Sequence, residues 1–452
     1  MSAPTTAAAR RARTELLALA AGLVAMLACA ATVPRAAWAQ APRPPAMTAQ
    51  PHALLDGVNI PSIGAYSSTH AIDQTIAEAH ALHATVVRTD VAWSILEPRA
   101  PGQIEPRELA ETDRLVADAA AAGIRVVMTV DSTPCWASSA PSAVLRKCSP
   151  TADGEANAWP PTDPAQYGAF TAFLAQRYGS RLAAIEVWNE PDQSNERYLA
   201  GPEKASHYAA ILRAAYPAIK RADPTVPVLG GSLVGSNGLF LRALYAAGIK
   251  GYYDALAVHY YNLTLASLRS IRETQLANGD TKPLWLDEFG WSNCWPRQRL
   301  QQEQACVTSR VQAANFLNTL RELARTPYLA AAIVYKLQDT SSEDFGLLSL
   351  AGARKPAFAA VARVFASPFG SISAVSLSLR RHGKQVVASG SGPVGDFMEL
   401  EAFKGATLRY RALFTLNRFN RYSVKLPALL GTSGLRVRVY EYASGPGAQR
   451  SI

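Results

Sequence analysis

The sequence predicts an α/β fold, a (β/α)₈ barrel, followed by a small all-β sandwich. Three observations carry this. Eight apolar strand-like runs alternate with eight helical stretches between residues 53 and 369. No glycine-rich phosphate loop follows the first strand, and Gly230-Gly231 opens no such pattern, which argues against a doubly wound open sheet. After Phe369 the texture changes to short alternating segments separated by Gly, Pro and Ser.

The predicted barrel strands are Leu55–Ile60, Thr85–Thr89, Arg125–Val130, Ala184–Trp188, Val226–Gly231, Ala255–His259, Leu284–Asp287 and Ala331–Tyr335. Most are β-branched or continuously apolar, as strands covered on both faces must be. Helices are expected at Ile72–Leu82, with Asp73 as cap, and at Glu108–Ala122, ending at Gly123. Ala165–Arg177, Lys204–Ala222, Leu239–Ala247, Leu265–Asn278, Val307–Arg325 and Pro356–Phe365 complete the set. The sandwich strands are Ile372–Leu379, Gln385–Ser389, Met398–Phe403, Thr407–Phe414, Tyr422–Leu426 and Leu435–Tyr442. The barrel is assigned to 53–369 and the accessory domain to 370–452.

Residues 1–39 read as a secretory signal peptide. Arg10, Arg11 and Arg13 precede the apolar run Leu16–Ala31, and Ala37-Trp38-Ala39 offers small residues for cleavage. A retained anchor is the alternative, since the run approaches spanning length. Residues 40–52 form a Pro- and Ala-rich linker, and no later run is long enough to span a membrane. A secreted or periplasmic protein is expected. Cleavage leaves Cys135, Cys148, Cys294 and Cys306, two local pairs. In an exported chain they favour disulfides Cys135–Cys148 and Cys294–Cys306; no CxxC or nearby His supports zinc.

The net charge is +10, of which residues 1–39 contribute +3, leaving about +7 on the mature chain. Residues 372–452 hold twelve Lys/Arg against four Asp/Glu, a net +8. That asymmetry points to an anionic glycan or envelope surface as neighbour; plain solvated arginine faces are the alternative, and nothing points to nucleic acid.

Ala183 to Asp192 reads AAIEVWNEPD. A short buried strand ends in an amide and a carboxylate pinned by Pro191, the place where parallel barrels keep reactive groups. The seventh strand repeats the layout, Pro283 to Trp291 reading PLWLDEFGW, so Glu288 also stands at a strand end. Strands four and seven lie on opposite sides of an eight-stranded barrel, so Glu190 and Glu288 are expected to face each other across the mouth. A protonated and an ionised carboxyl so placed are what glycosidic bond cleavage requires.

Trp188-Asn189-Glu190-Pro191 and Trp285-Leu286-Asp287-Glu288-Phe289-Gly290 resemble the acid/base and nucleophile motifs of glycoside hydrolase clan A. Within the clan the chain is most similar to family 39-like glycosidases, including those of bacterial exopolysaccharide systems. The similarity spans residues 55–365 and includes Val87 to Trp93 with Glu97-Pro98, Ser132 to Ala137, His259-Tyr260-Tyr261, Asp344 to Leu348 and Lys355-Pro356-Ala357.

The resemblance implies Glu190 as general acid/base and Glu288 as nucleophile, with Asn189 donating to the sugar 2-hydroxyl. Arg88 would sit near Glu288 and hold its pKa low; a surface arginine is the plainer reading. His259 and Tyr261 would lie between the carboxylates, Tyr261 orienting Glu288; a core histidine is the rival for His259. Trp93, Trp136 and Trp291 are candidate sugar platforms, each with burial in the core as the alternative. Asp131, ending strand three, and Lys336, ending strand eight, are candidate polar contacts. Clan members commonly carry Trp at the end of strand eight, whereas this chain reads Ile333-Val334-Tyr335-Lys336, so Lys336 would meet an acidic or heavily substituted sugar.

The expected activity is that of a retaining glycosidase on a β-linked polysaccharide or oligosaccharide. A non-catalytic carbohydrate-binding barrel and a transglycosylase are the other readings. The mechanism needs no metal or cofactor, and no ligand cluster points to one.

Overall fold

The computed structural model describes residues 53–451, apart from 67, 150–153, 262–264, 295–305, 368–373, 393–397, 418 and 442–446. The expected signal peptide and linker lie outside the described residues. Eight parallel strands close into a barrel in sequence order: β1 (Leu55–Asn59), β2 (Val86–Ala92), β3 (Arg125–Asp131), β4 (Leu182–Val187), β5 (Val228–Leu233), β6 (Ala255–His259), β7 (Leu284–Phe289) and β8 (Leu329–Val334). β8 pairs with β1 through Leu55–Ala331 to Val58–Val334, which completes the cylinder.

The helices after each strand are α1 (Thr69–Ala81), α2 (Pro106–Ala121), α3 (Pro164–Tyr178), α4 (Lys204–Ala222), α5 (Leu239–Ala246), α6 (Leu265–Ala277), α7 (Ser309–Leu323) and α8 (Pro356–Ala366). α2 shows why they form. Pro106 opens it with a preset φ, Thr112, Leu115, Val116 and Ala119 line one buried stripe, and Gly123 follows at φ +74°. α1 begins earlier than expected. Its cap is Ser68, whose side chain accepts from the Ala71 N–H, while Asp73 pairs with Arg114 at 2.6 Å. Among the described residues no helix is long and apolar enough to cross a membrane.

Alternation along the strands sorts the barrel interior into layers. Low in the barrel sit Val86, Val127, Ala184, Ala257, Trp285 and Ile333, one apolar cluster. Two residues further along the same strands come Arg88, Thr129, Glu186, His259, Asp287 and Tyr335. Along these six strands the inward face therefore turns from apolar to polar or ionisable towards the C-terminal end. That change of layer puts the site there.

The C-terminal region forms two antiparallel sheets. β9 (Ser378–His382), β10 (Gln385–Ser391) and β13 (Arg421–Lys425) make one, in the order β13-β10-β9. The other has β11 (Met398–Lys404), β12 (Thr407–Phe414), β14 (Leu435–Glu441) and β15 (Gly447–Ser451), in the order β12-β11-β14-β15. β15 is the strand that sequence periodicity missed, being short and Gly-, Gln- and Arg-containing. Val386, Ala388, Met398, Leu400, Val437 and Val439 fill the space between the sheets. Asn420 donates to Asn315 of α7 at 2.8 Å, tying this region to the barrel.

Candidate active site

Glu190 leaves β4 on an unusual backbone. Trp188 and Glu190 both have positive φ, +70° and +41°, uncommon for side chains with a Cβ. Packing holds them there. The Trp188 ring is buried, its Nε1–H donating to the Tyr198 carbonyl at 2.8 Å, and its backbone N–H bonds the Val130 carbonyl at 2.9 Å. The Gln193 side-chain amide donates to Glu190 Oε2, and Lys204 Nζ fixes Gln193 through its carbonyl at 2.6 Å.

Glu288 arrives differently. Val258 pairs with Leu286 but the next residue, His259, pairs with Glu288, so two residues of β7 stand opposite one step of β6. This irregularity breaks the alternation and lets Asp287 and Glu288 both face inward. Arg88 reaches both, with Nη1 2.6 Å from Glu288 and Nε 3.6 Å from Asp287.

Arg88 is the hub. It is 2% exposed, donates from Nε to Glu186 at 2.7 Å, and from Nη1 to Asn59 Oδ1 at 2.9 Å. Its Nη2 donates to Asn189 Oδ1 at 3.0 Å. A guanidinium only donates, so this bond turns the Asn189 amide nitrogen away from Arg88. Glu186 is fully buried and also accepts from Thr129 Oγ1 at 2.8 Å.

His259 lies between the two carboxylates. Its Nδ1 is 2.9 Å from Glu190 and 3.4 Å from Glu288, and Nε2 is 3.5 Å from Asp287. Tyr261 donates its hydroxyl to Glu288 Oε2 at 2.5 Å. One ligand atom from each of Glu190, His259 and Glu288 lies within 4.8 Å of the others.

Burial opposes charge throughout this cluster, and the neighbours decide the outcome. At Glu288 the burial penalty is outweighed by His259, Arg88 and the Tyr261 hydroxyl, which hold its pKa below the usual carboxylate range. His259 is likewise disfavoured by burial, yet Glu288 and Asp287 push it up to about 10, so it carries a proton at neutral pH. Asp287 goes the other way. Burial, then repulsion from Glu186, raises it well above the usual range. Arg88 and protonated His259 thus supply the positive charge among these acids, which makes a poor donor set for a metal despite its spacing.

Trp93 and Trp291 are core residues. Trp93 is fully buried, stacked on Phe170 with its Nε1–H on Glu97 at 2.6 Å; Trp291 is 3% exposed and edge-on to Phe289 and Phe316. Trp136 stays partly exposed, bonded through Nε1 to the Glu97 carbonyl at 2.8 Å. Asp131 ends β3, buried, and accepts from Ser132 Oγ at 2.9 Å. Lys336 stands two residues beyond β8, paired with Glu343 at 2.5 Å, so its charge is already matched. Tyr335 beside it packs edge-on against Tyr261 and Phe345 and lines a cavity with Glu288. Both disulfides form, Cys135–Cys148 with Cα atoms 5.8 Å apart and Cys294–Cys306 with Cα atoms 5.3 Å apart.

Asn59, Asp90, Glu186, Gln193, Asp287 and Tyr335 belong to the site without having been singled out in the sequence. For Asn59, Asp90, Glu186 and Asp287 the usable signal was a polar residue at an inward position of an apolar strand, the same signal that marked Arg88.

Comparison with known proteins agrees with this geometry. The chain resembles solved structures of a family 39 glycoside hydrolase from Bacteroides cellulosilyticus WH2 (18% identity, 83% of this chain and 79% of that one, TM-score 0.53). It also resembles a family 39 β-xylosidase from Caulobacter crescentus (16%, 84% and 95%, 0.53) and a family 30 endoxylanase from Clostridium papyrosolvens C71 (13%, 87% and 98%, 0.51). At these identities the likeness establishes the fold. No curated protein sequence matches. The family model for cellulase, glycosyl hydrolase family 5, matches residues 47–320, more than half of the chain. With a clan A barrel and a carboxylate pair at its mouth, the chain belongs to the cellulase family, glycosyl hydrolase family 5, and is a glycosidase.

Proposed function

We propose that the protein is a secreted, retaining glycosidase acting on β-linked oligosaccharides or polysaccharides, with Glu288 as nucleophile and Glu190 as general acid/base. One observation carries the reading: carboxylate oxygens of Glu190 and Glu288 within 4.8 Å of each other. Retaining enzymes hold their carboxyl groups about 5–5.5 Å apart, while inverting ones leave roughly 6.5–9.5 Å for a water.

The asymmetry of the pair supports the roles. Glu288 is bound by Arg88 and Tyr261, both favouring the ionised form that attacks the anomeric carbon. As the Glu288–carbon ester forms, the glycosidic C–O bond breaks and its oxygen takes the proton of Glu190. The Glu190 carboxylate then removes a proton from water, whose oxygen displaces Glu288 and regenerates both groups. Asn189 offers its amide N–H to the 2-hydroxyl. The disulfides and residues 1–39 support export, and residues 370–452 form an accessory domain whose basic surface meets anionic glycan.

Glu288→Gln should abolish turnover of aryl β-glycosides, with a loss of at least about 10⁴-fold, and product NMR on the wild type should show the β-anomer first. Unchanged turnover in the variant, or initial release of the α-anomer, overturns the assignment.

A further inference from the structure

A cavity beside Glu288 lies on one side of the carboxylate pair. It measures about 230 Å³ and is lined by Asn59, Pro61, Asp90, Tyr335, Lys336 and Gln338, among others, with Glu288 and Arg88 at its base. Glu190 and His259 do not line it. In the reading above, Glu190 protonates the leaving oxygen, so the leaving sugar lies on the β4 side. The sugar attacked by Glu288 must then occupy this cavity.

Its volume falls below the roughly 300 Å³ at which pockets for drug-sized ligands begin, room for one sugar ring and not for a chain of them. Both walls are pinned. On the β1 side, the Ile60 and Ile63 N–H groups bond the Arg88 and Asp90 carbonyls at 2.9 and 3.0 Å, and Thr89 Oγ1 bonds the Pro61 carbonyl at 2.8 Å. On the β8 side, Leu337 N–H bonds the Asn59 carbonyl at 2.9 Å, and Lys336 and Tyr335 both hold Glu343, at 2.5 and 3.0 Å. Further along, Leu348 N–H bonds the Leu337 carbonyl at 2.8 Å and Lys355 Nζ bonds Asp339 at 2.7 Å. A wall tied at this many points does not swing aside for a longer chain.

Asp90 Oδ1 is buried without a hydrogen-bond partner, 3.9 Å from Arg88 Nη1, while Oδ2 accepts from Ser62 Oγ at 3.2 Å. Asp90 lines the cavity and its side chain is 43% exposed, so the carboxylate is open to a ligand hydroxyl on its exposed side.

We infer that this enzyme is exo-acting: it takes a single non-reducing terminal sugar into the cavity, where Asp90 accepts a hydrogen bond from a ring hydroxyl. The inference rests on the assignment of Glu190 and Glu288. In chemical terms the substrate is a chain end with unsubstituted hydroxyls facing Asp90, and the product is a free monosaccharide. An endo-acting enzyme upstream has to supply such ends if the natural polymer is long.

The test uses the full-length mature protein with β-linked xylo-, cello- and manno-pentasaccharides labelled at the reducing end with 2-aminobenzamide. In the series that is cleaved, the labelled product should shorten by one sugar per step, with monosaccharide the sole unlabelled product. Release of unlabelled di- or trisaccharides overturns the inference and leaves the glycosidase reading intact. Saturation-transfer NMR of the same pentasaccharides on Glu190→Gln covers the case of slow turnover. The terminal non-reducing ring should saturate most strongly; equal saturation of internal rings overturns the inference. Neither cleavage nor binding in any series overturns both. Asp90→Asn should lower kcat/KM for the matching aryl glycoside about 10–100-fold, the effect of weakening a hydrogen bond to a charged group. An unchanged kcat/KM removes Asp90 from the role.

Discussion

Arg88 and Glu288 meet at 2.6 Å, and the same guanidinium holds Glu186 at 2.7 Å. Lysine is a point charge and cannot hold both. Arg88→Lys should therefore keep a folded barrel yet lower kcat/KM by about 10²-fold or more, as expected for disrupting a buried hydrogen-bonded charge pair. Arg88→Ala should in addition lose about 3–5 kcal/mol of stability, because Glu186 is left buried without its cation. Steady-state kinetics and urea unfolding separate the two effects.

His259 gives the protein a pH-dependent contribution to stability. Its folded pKa, about 10, exceeds the ordinary value of 6.5, so folding is favoured by the protonated ring. That contribution is complete below pH 6.5 and disappears as pH rises to about 10. The Tm difference between the wild type and His259→Gln should accordingly shrink steadily between pH 6.5 and 10. A difference that stays constant over that range would mean the ring does not titrate there.

Asp56 on β1 works in the opposite practical direction. Burial raises its pKa from 3.8 to about 7, so its ionisation disfavours the folded state. The cost is absent below pH 3.8 and complete above about pH 7. Asp56→Asn should raise stability at pH 8, by up to about 4 kcal/mol, and leave it nearly unchanged at pH 4. Paired urea titrations at the two pH values decide it.

The tryptophans should divide by burial. Trp93→Phe, which removes the bond to Glu97, should lower Tm with KM unchanged. Trp136→Ala, at a partly exposed ring, should raise KM for oligosaccharides more than it lowers Tm. A KM unaffected by Trp136→Ala would take that ring out of the substrate path.

The basic character of the C-terminal sheets is concentrated where acids do not answer it. Arg411 and Arg438 are paired with the buried Glu399 and Glu401, whereas Arg380, Arg381 and Lys384 stand exposed along the β9–β10 hairpin. Replacing those three by Glu should move elution from a heparin column to markedly lower salt without altering turnover of aryl glycosides. Unchanged elution would leave the surface as ordinary solvated charge.

The barrel was legible because strands covered on both faces must be apolar, and the helices between them carry their caps and stripes openly. Glu190 and Glu288 were legible as carboxylates at matched strand ends. The irregular pairing of β6 with β7 was not, since nothing in Leu286-Asp287-Glu288 announces that two successive side chains point the same way. The buried role of Trp93 was hidden too: an indole suits a core and a sugar face equally, and only the neighbours Phe170 and Glu97 decide. Lys336 was read as a free cation because its partner Glu343 lies in a loop, where no periodicity forecasts contact.

The hub at Arg88 joins β1, β2, β4 and β7 through Asn59, Glu186 and Glu288, strands that close the cylinder from three directions. Catalytic competence in this chain is therefore a report on ring closure. A folding intermediate, a nicked chain or a truncated fragment in which β7 has not docked leaves Arg88 on β2 without Glu288. Activity should return in step with the last strand to join, and not before.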